Sequence, residues 1–128
     1  MKILKIPSKT VLLIMLSVTL AIVLTACGGN QLDKFVDEIN SGEAIHAEFE
    51  GLYKVHAETR GNSTIILVFQ AELEELATPE VSQIVSDEAA SESRAAVEEM
   101  RNAGISEPSV ILEFLDKSGN LIYVRQFS

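Results

Sequence analysis

Few side chains in this sequence have types and spacings suited to chemistry, and they fall into three sets. The single cysteine, Cys27, carries a thiol that can take a diacylglyceryl group. The two histidines, His46 and His56, are each followed two residues later by a glutamate, Glu48 and Glu58. On a strand, this spacing puts a nitrogen and an oxygen ligand on one face, so these four residues are weak candidates for a zinc or copper site. Solvent-facing polar side chains on strands are the favoured explanation of the same pattern.

The third set consists of carboxylates that could do acid/base work or bind calcium. They cluster after the second predicted strand and along a long predicted helix: Glu72, Glu74, Glu75, Asp87, Glu88, Glu92, Glu98 and Glu99. The sequence has no Asp-x-Asp-x-Asp-Gly calcium loop, no Gly-x-Ser-x-Gly nucleophile elbow and no phosphate-binding glycine loop. We therefore expect no catalytic residues, no enzyme activity and no cofactor, and we expect these acids to form a solvated face that could attract a basic partner.

The residues that precede Cys27 indicate what its thiol does. Three lysines lead into a charge-free apolar run of 14 residues, 11–24. This run is short for a membrane span, which needs about 20 residues, and is typical of a secretory signal peptide. Leu24-Thr25-Ala26-Cys27 resembles the lipobox of bacterial lipoproteins, which implies cleavage after Ala26 and a lipid on Cys27. An uncleaved N-terminal anchor is the alternative.

These segments predict three parts: a lipoprotein signal peptide (1–26), a lipidated cysteine with a short tether (27–30) and a single domain (31–128). The whole chain has a formal charge of −9, whereas the chain after residue 26 has 7 basic and 19 acidic residues and a charge of −12. Such a charge disfavours nucleic acid and would be repelled by anionic lipid. We expect contact with the extracytoplasmic face of the cell membrane through the lipid on Cys27, and an envelope protein as the possible partner.

Periodicity and turn chemistry predict the elements of the domain. Apolar residues at helical spacing predict a short helix over 31–40, whereas 43–49 fits either a helix or a strand. Alternation and β-branched residues predict two hairpins, the second strand of the first being buried on both faces. A threonine cap, a proline and a closing glycine delimit one long helix between the hairpins. The predicted strands and this helix span 53–58, 64–71, 79–103, 110–115 and 121–127.

Two hairpins on either side of one helix can form a single layered unit. The predicted fold is therefore α+β: a short N-terminal helix, then β-β-α-β-β, with a four-stranded antiparallel sheet packed by one long helix.

The order of three motifs resembles a family of small lipoproteins of low-GC Gram-positive bacteria that contain a domain of unknown function. The motifs are Leu32-Asp33-Lys34-Phe35-Val36, the turn Gly61-Asn62 before the apolar strand 65–69, and the turn 116–120 followed by a strand that contains Ile122-Tyr123. The resemblance covers about residues 31–127. It implies a cell-envelope location and assigns no catalytic or binding residue.

Overall fold

The computed structural model describes residues 31–41 and 49–128. In this part of the chain, three α-helices and one 3₁₀ turn accompany a four-stranded sheet, so the α+β class is confirmed. The elements are α1 (Gln31–Ser41), β1 (Tyr53–Arg60), β2 (Thr64–Ala71), the 3₁₀ turn (Glu74–Leu76), α2 (Pro79–Glu88), α3 (Ala90–Asn102), β3 (Ser109–Leu115) and β4 (Leu121–Phe127).

Several predictions fall outside these residues. The signal peptide, Cys27 and the tether precede the described part, and His46 and Glu48 lie in the gap between α1 and residue 49. The ambiguous segment 43–49 lies in the same gap, apart from Phe49.

The sheet is mixed, and the prediction of a purely antiparallel sheet is wrong. Both hairpins form as expected, β1 pairing with β2 and β3 with β4 in antiparallel fashion. However, β2 and β3 are parallel, with Thr64 opposite Ser109 and Gln70 opposite Leu115. At 1.5 Å per residue, α2 and α3 together extend about 35 Å, whereas the eight residues of β2 extend about 26 Å. The helical connection is thus long enough to return the chain to the end of the sheet where β2 began, and a helical crossover of this kind joins parallel strands.

The long helix predicted over 79–103 is two helices that meet at Ala89. This residue has φ −91° and ψ 0°, and it ends α2 and precedes α3. Ala89 is buried in the core. The adjoining sequence, Ser86-Asp87-Glu88-Ala89-Ala90, contains no glycine or proline. The 3.6-residue apolar period continues across the junction, so the pattern could not reveal the break.

The predicted ends of this helical segment are confirmed. The Thr78 hydroxyl accepts a hydrogen bond from the Val81 amide at 3.2 Å, with Pro79 as the first helical residue. At the other end, the amide of Ile105 donates to the Met100 carbonyl and that of Gly104 to the Arg101 carbonyl, both at 3.0 Å. These are the two bonds of a Schellman motif, and Gly104 supplies the positive φ of 91° that the motif requires.

The main core lies between one face of the sheet and the helices. Alternate residues of the central strands point into it, and Phe69 stacks on Phe114 with ring centroids 5.0 Å apart. Leu32 and Ile39 of α1, Val85 of α2 and several residues of α3 belong to the same core. All three helices of the described chain therefore cover the same face of the sheet.

Candidate interaction surface

The opposite face of the sheet carries a second apolar cluster. We call it the helix-free face, because none of the helices within residues 31–41 and 49–128 covers it. Ile66, Val68 and Ile111 form its centre, with 4%, 4% and 7% of their surfaces exposed, and Leu115 packs against them. The apolar residues of β2 thus serve both faces, which confirms the prediction that this strand is buried on both sides.

Strand β4 adds accessible apolar surface to the helix-free face. Leu112 and Phe114 point into the main core, so Glu113 between them points to the opposite face of the sheet. Val124 is paired with Glu113, and Leu121 is paired with Leu115. Directly paired residues share a face of a sheet, so Val124 and Leu121 lie on the helix-free face. They are 50% and 55% exposed. Ile84 on α2 is the other large apolar side chain of the described chain with comparable exposure, at 54%.

Charge divides the molecule between its two layers. The three helices and the 3₁₀ turn contain three basic and eleven acidic residues. The helix-free face contains two of each sign, Lys54 and Arg60 against Glu58 and Glu113. The acidic surface expected from the sequence is therefore a helical layer, and the helix-free face is close to neutral.

One carboxylate departs from the prediction of a solvated acidic face. Glu92 is only 3% exposed, and its Oε1 has no hydrogen-bond partner. Two exposed carboxylates on the helices pair with arginines: Glu98 with Arg101 at 2.7 Å, and Asp87 with Arg125 at 2.5 Å. Glu92 lies three residues after Ala89 and four before Ala96, so helical spacing places it on the buried side of α3. The prediction of a solvated face treated all the acids of the helix alike and therefore missed its burial.

A side chain of α1 blocks the edge of the sheet at one residue of β1, Ala57. The Ala57 amide donates to Asn40 Oδ1 at 2.7 Å, and Asn40 Nδ2 donates to the Ala57 carbonyl at 3.0 Å. The amide of Asn40 thus bonds both backbone groups of an edge residue, as a neighbouring strand would. Unpaired edges are templates for pairing with other chains, so Asn40 hinders such pairing at Ala57.

His56 and Glu58 share one face of β1, as their spacing predicted, and this is the helix-free face. His56 Nε2 is 3.0 Å from Glu58 Oε2, and both side chains are about half exposed. Among residues 31–41 and 49–128, no three histidine, cysteine or acidic side chains come together in an arrangement that could hold a metal ion. The pair supplies two ligands, whereas structural zinc sites use four.

A shallow cleft lies at the end of β1 and β2 near the β3–β4 turn. Lys54, Gln70, Ala71, Glu72 and Lys117 line its volume of about 160 Å³. Gln70 Nε2 donates to the Lys117 carbonyl at 3.1 Å across it. Sites for small organic molecules usually enclose about 300 to 1,000 Å³, so the cleft is small for such a ligand.

In the described part of the chain, no helix is both long and apolar enough to cross a membrane. No family model, no curated protein and no solved structure matches this chain. The resemblance to Gram-positive lipoproteins, which rests on motif order, stays a prediction.

Proposed function

We propose that this protein is a lipoprotein anchored to the extracytoplasmic face of the cell membrane, where its domain acts as a non-enzymatic binding module. The helix-free face is its binding surface, and the half-exposed Leu121 and Val124 on that face are the observation that carries this proposal. The likeness to small Gram-positive lipoproteins agrees with this location.

The anchor is supported by the order of features at the N-terminus. Basic residues, an apolar run of signal-peptide length and a lipobox ending at Cys27 occur in the sequence required for lipoprotein processing. Two acyl chains on one cysteine are enough for stable membrane attachment. The tether 27–30 would hold the domain within a short distance of the membrane.

Binding through the helix-free face is supported by its chemistry. Protein interfaces have apolar centres from which charged residues are depleted, surrounded by a polar rim. Leu121 and Val124 supply accessible apolar surface beside the buried Ile66, Val68 and Ile111. The charged side chains of β1 lie at one edge of the face, and Glu113 on β3 is a partly buried charge nearer its middle.

Substitution of Cys27 tests the anchor. The full chain and its Cys27→Ala variant are expressed in a Gram-positive host with a radiolabelled fatty acid. We expect label in the membrane-bound wild type, and unprocessed, unlabelled protein for the variant. Equal labelling of the two proteins would refute the lipid assignment.

Crosslinking in the intact envelope tests the binding face. We expect the full chain to yield crosslinked products that Val124→Lys reduces several-fold and that Ile84→Lys leaves unchanged. The two substitutions add the same charge at equally exposed apolar positions on opposite layers. Equal products from both variants would exclude the helix-free face.

A second candidate function is binding of a divalent metal or small ligand, and the geometry of His56 and Glu58 favours it. Their ring nitrogen and carboxylate are already 3.0 Å apart on one accessible face, and the sequence pairs them with His46 and Glu48 in the same His-x-Glu pattern. Zinc or copper should then raise the melting temperature, and His56→Ala and His46→Ala should each abolish the rise. An unchanged melting temperature with either metal would eliminate this function.

A further inference from the structure

We propose that the helix-free face binds a second copy of this chain, so that the lipoprotein forms a face-to-face dimer. This inference rests on the proposed role of that face in binding and names its partner. The argument uses the charge of the two layers, the mixed signs on the face and its area.

Charge decides which faces of two copies can meet. The helical layer has eight more acidic than basic residues, so a second copy that approached it would be repelled. The helix-free face, with two residues of each sign, presents no such barrier. A basic partner, in contrast, would be drawn to the helical layer and away from this face.

Face-to-face packing also keeps the acidic layers apart. Packed sheets lie about 10 Å from each other, and a helix layer lies about 10 Å above its sheet. The two helical layers of such a dimer would therefore be about 30 Å apart. This distance exceeds the Debye length of about 8 Å at physiological ionic strength, so their repulsion would be screened.

The face is also self-complementary. In a twofold dimer, the same surface of each copy contacts the other, so a surface needs both members of any ion pair it forms. Lys54 and Arg60 on β1 and Glu113 near the middle of the face supply both signs. The exposed apolar surfaces of Leu121 and Val124 would be buried in the contact.

The area of the face predicts a weak dimer. Four strands about 4.8 Å apart, each of about seven residues at about 3.3 Å, cover roughly 400 Å² in projection. Stable interfaces cover about 800 Å² on each partner, so the dimer should dissociate on dilution. Confinement of the lipoprotein to a membrane would raise its effective concentration and favour association.

Light scattering and sedimentation of the detergent-solubilised full chain test the dimer, because they give its molecular mass at protein concentrations from about 10 μM to 1 mM. We expect a concentration-dependent dimer for the wild type and Ile84→Lys, and at least a tenfold weaker dimer for Val124→Lys and Leu121→Lys. Circular dichroism of each variant verifies its fold.

Three outcomes would overturn the dimer. The first is a wild type that stays monomeric at every concentration. The second is equal association of all four proteins, which would assign association to another part of the chain. The third is a Val124→Lys variant that loses binding to lipid vesicles without a change in molecular mass. If the wild type is monomeric but Val124→Lys still loses envelope crosslinks, the binding module stands and only the identity of its partner is wrong.

Discussion

Asn40 links a helix to the edge of the sheet through two hydrogen bonds to one residue, Ala57. A cyclic pair of this kind fixes the position of α1 and satisfies two backbone groups that would otherwise face solvent or another chain. The sequence predicted only that the first helix ends at residue 40. Its bond to Ala57 spans 17 residues, and no local pattern reports a contact at that separation.

Replacement of Asn40 by alanine should lower the free energy of unfolding by about 1 to 2 kcal/mol, because two hydrogen bonds are lost. Urea denaturation measures the change. Asn102→Ala, at the exposed end of α3, is the control and should change stability by less than about 0.5 kcal/mol. If both variants have equal stability, the pair with Ala57 does not contribute to folding.

Tyr53 is a buried group whose ionisation opposes the folded state. Its side chain packs among Phe49, Phe69 and Phe114, and its hydroxyl has no hydrogen-bond partner. Burial raises the pKa of Tyr53 from its ordinary value of 10.0 to about 12. The folded protein therefore keeps a proton that the unfolded chain releases between these values.

Stability should consequently fall as pH rises from 10 to 12, and Tyr53→Phe should reduce this fall. Below pH 10, the variant should be at least as stable as the wild type, because it removes a buried hydroxyl that has no partner. Melting temperatures measured across this pH range test the prediction. Tyr123→Phe, at the half-buried tyrosine of β4, is the control and should retain the alkaline fall.

At the scale of elements, sequence patterns predicted the features that depend on interactions between residues close in sequence. The hairpins and the ends of the helical segment depend on residues close in sequence, such as Thr78 with Val81 and Gly104 with Met100, and these were predicted correctly. The parallel pairing of β2 with β3 joins residues 45 apart, such as Thr64 and Ser109. Hairpin signals describe neighbours within each pair and contain no information on how the pairs adjoin. The helix-free face was only partly foreseen, because strand composition showed two apolar sides to β2 but not which side the helices cover.

The N-terminal cap of α2 permits a matched test at this scale. Thr78→Ala should lower the free energy of unfolding by about 0.5 to 2 kcal/mol, since the Val81 amide loses its acceptor. Thr78→Ser retains a hydroxyl and should recover most of that loss. Thermal unfolding distinguishes the two, and equal losses would show that the hydroxyl is not the stabilising group.

For the whole molecule, the separation of charge between layers predicts where electrostatic repulsion acts. Glu99 is exposed on α3 within the acidic layer. Glu99→Lys should raise the free energy of unfolding at low salt by a few tenths of a kcal/mol to about 1 kcal/mol, and the gain should shrink as salt screens the layer. The matched change on the near-neutral face, Glu113→Lys, should not give this salt-dependent gain. Denaturation of both variants at 0.01 M and 0.15 M salt checks the expectation.

The parallel pairing of β2 with β3, called the seam below, also sets the order in which the chain can fold. Each antiparallel hairpin closes over a short turn, whereas the seam requires the residues from Glu72 to Pro108 to be looped out first. Loop closure of this length costs entropy before any contact compensates for it. The hairpins can therefore form early and independently, and the rate of folding should be limited by their side-by-side assembly once α2 and α3 have brought β3 alongside β2.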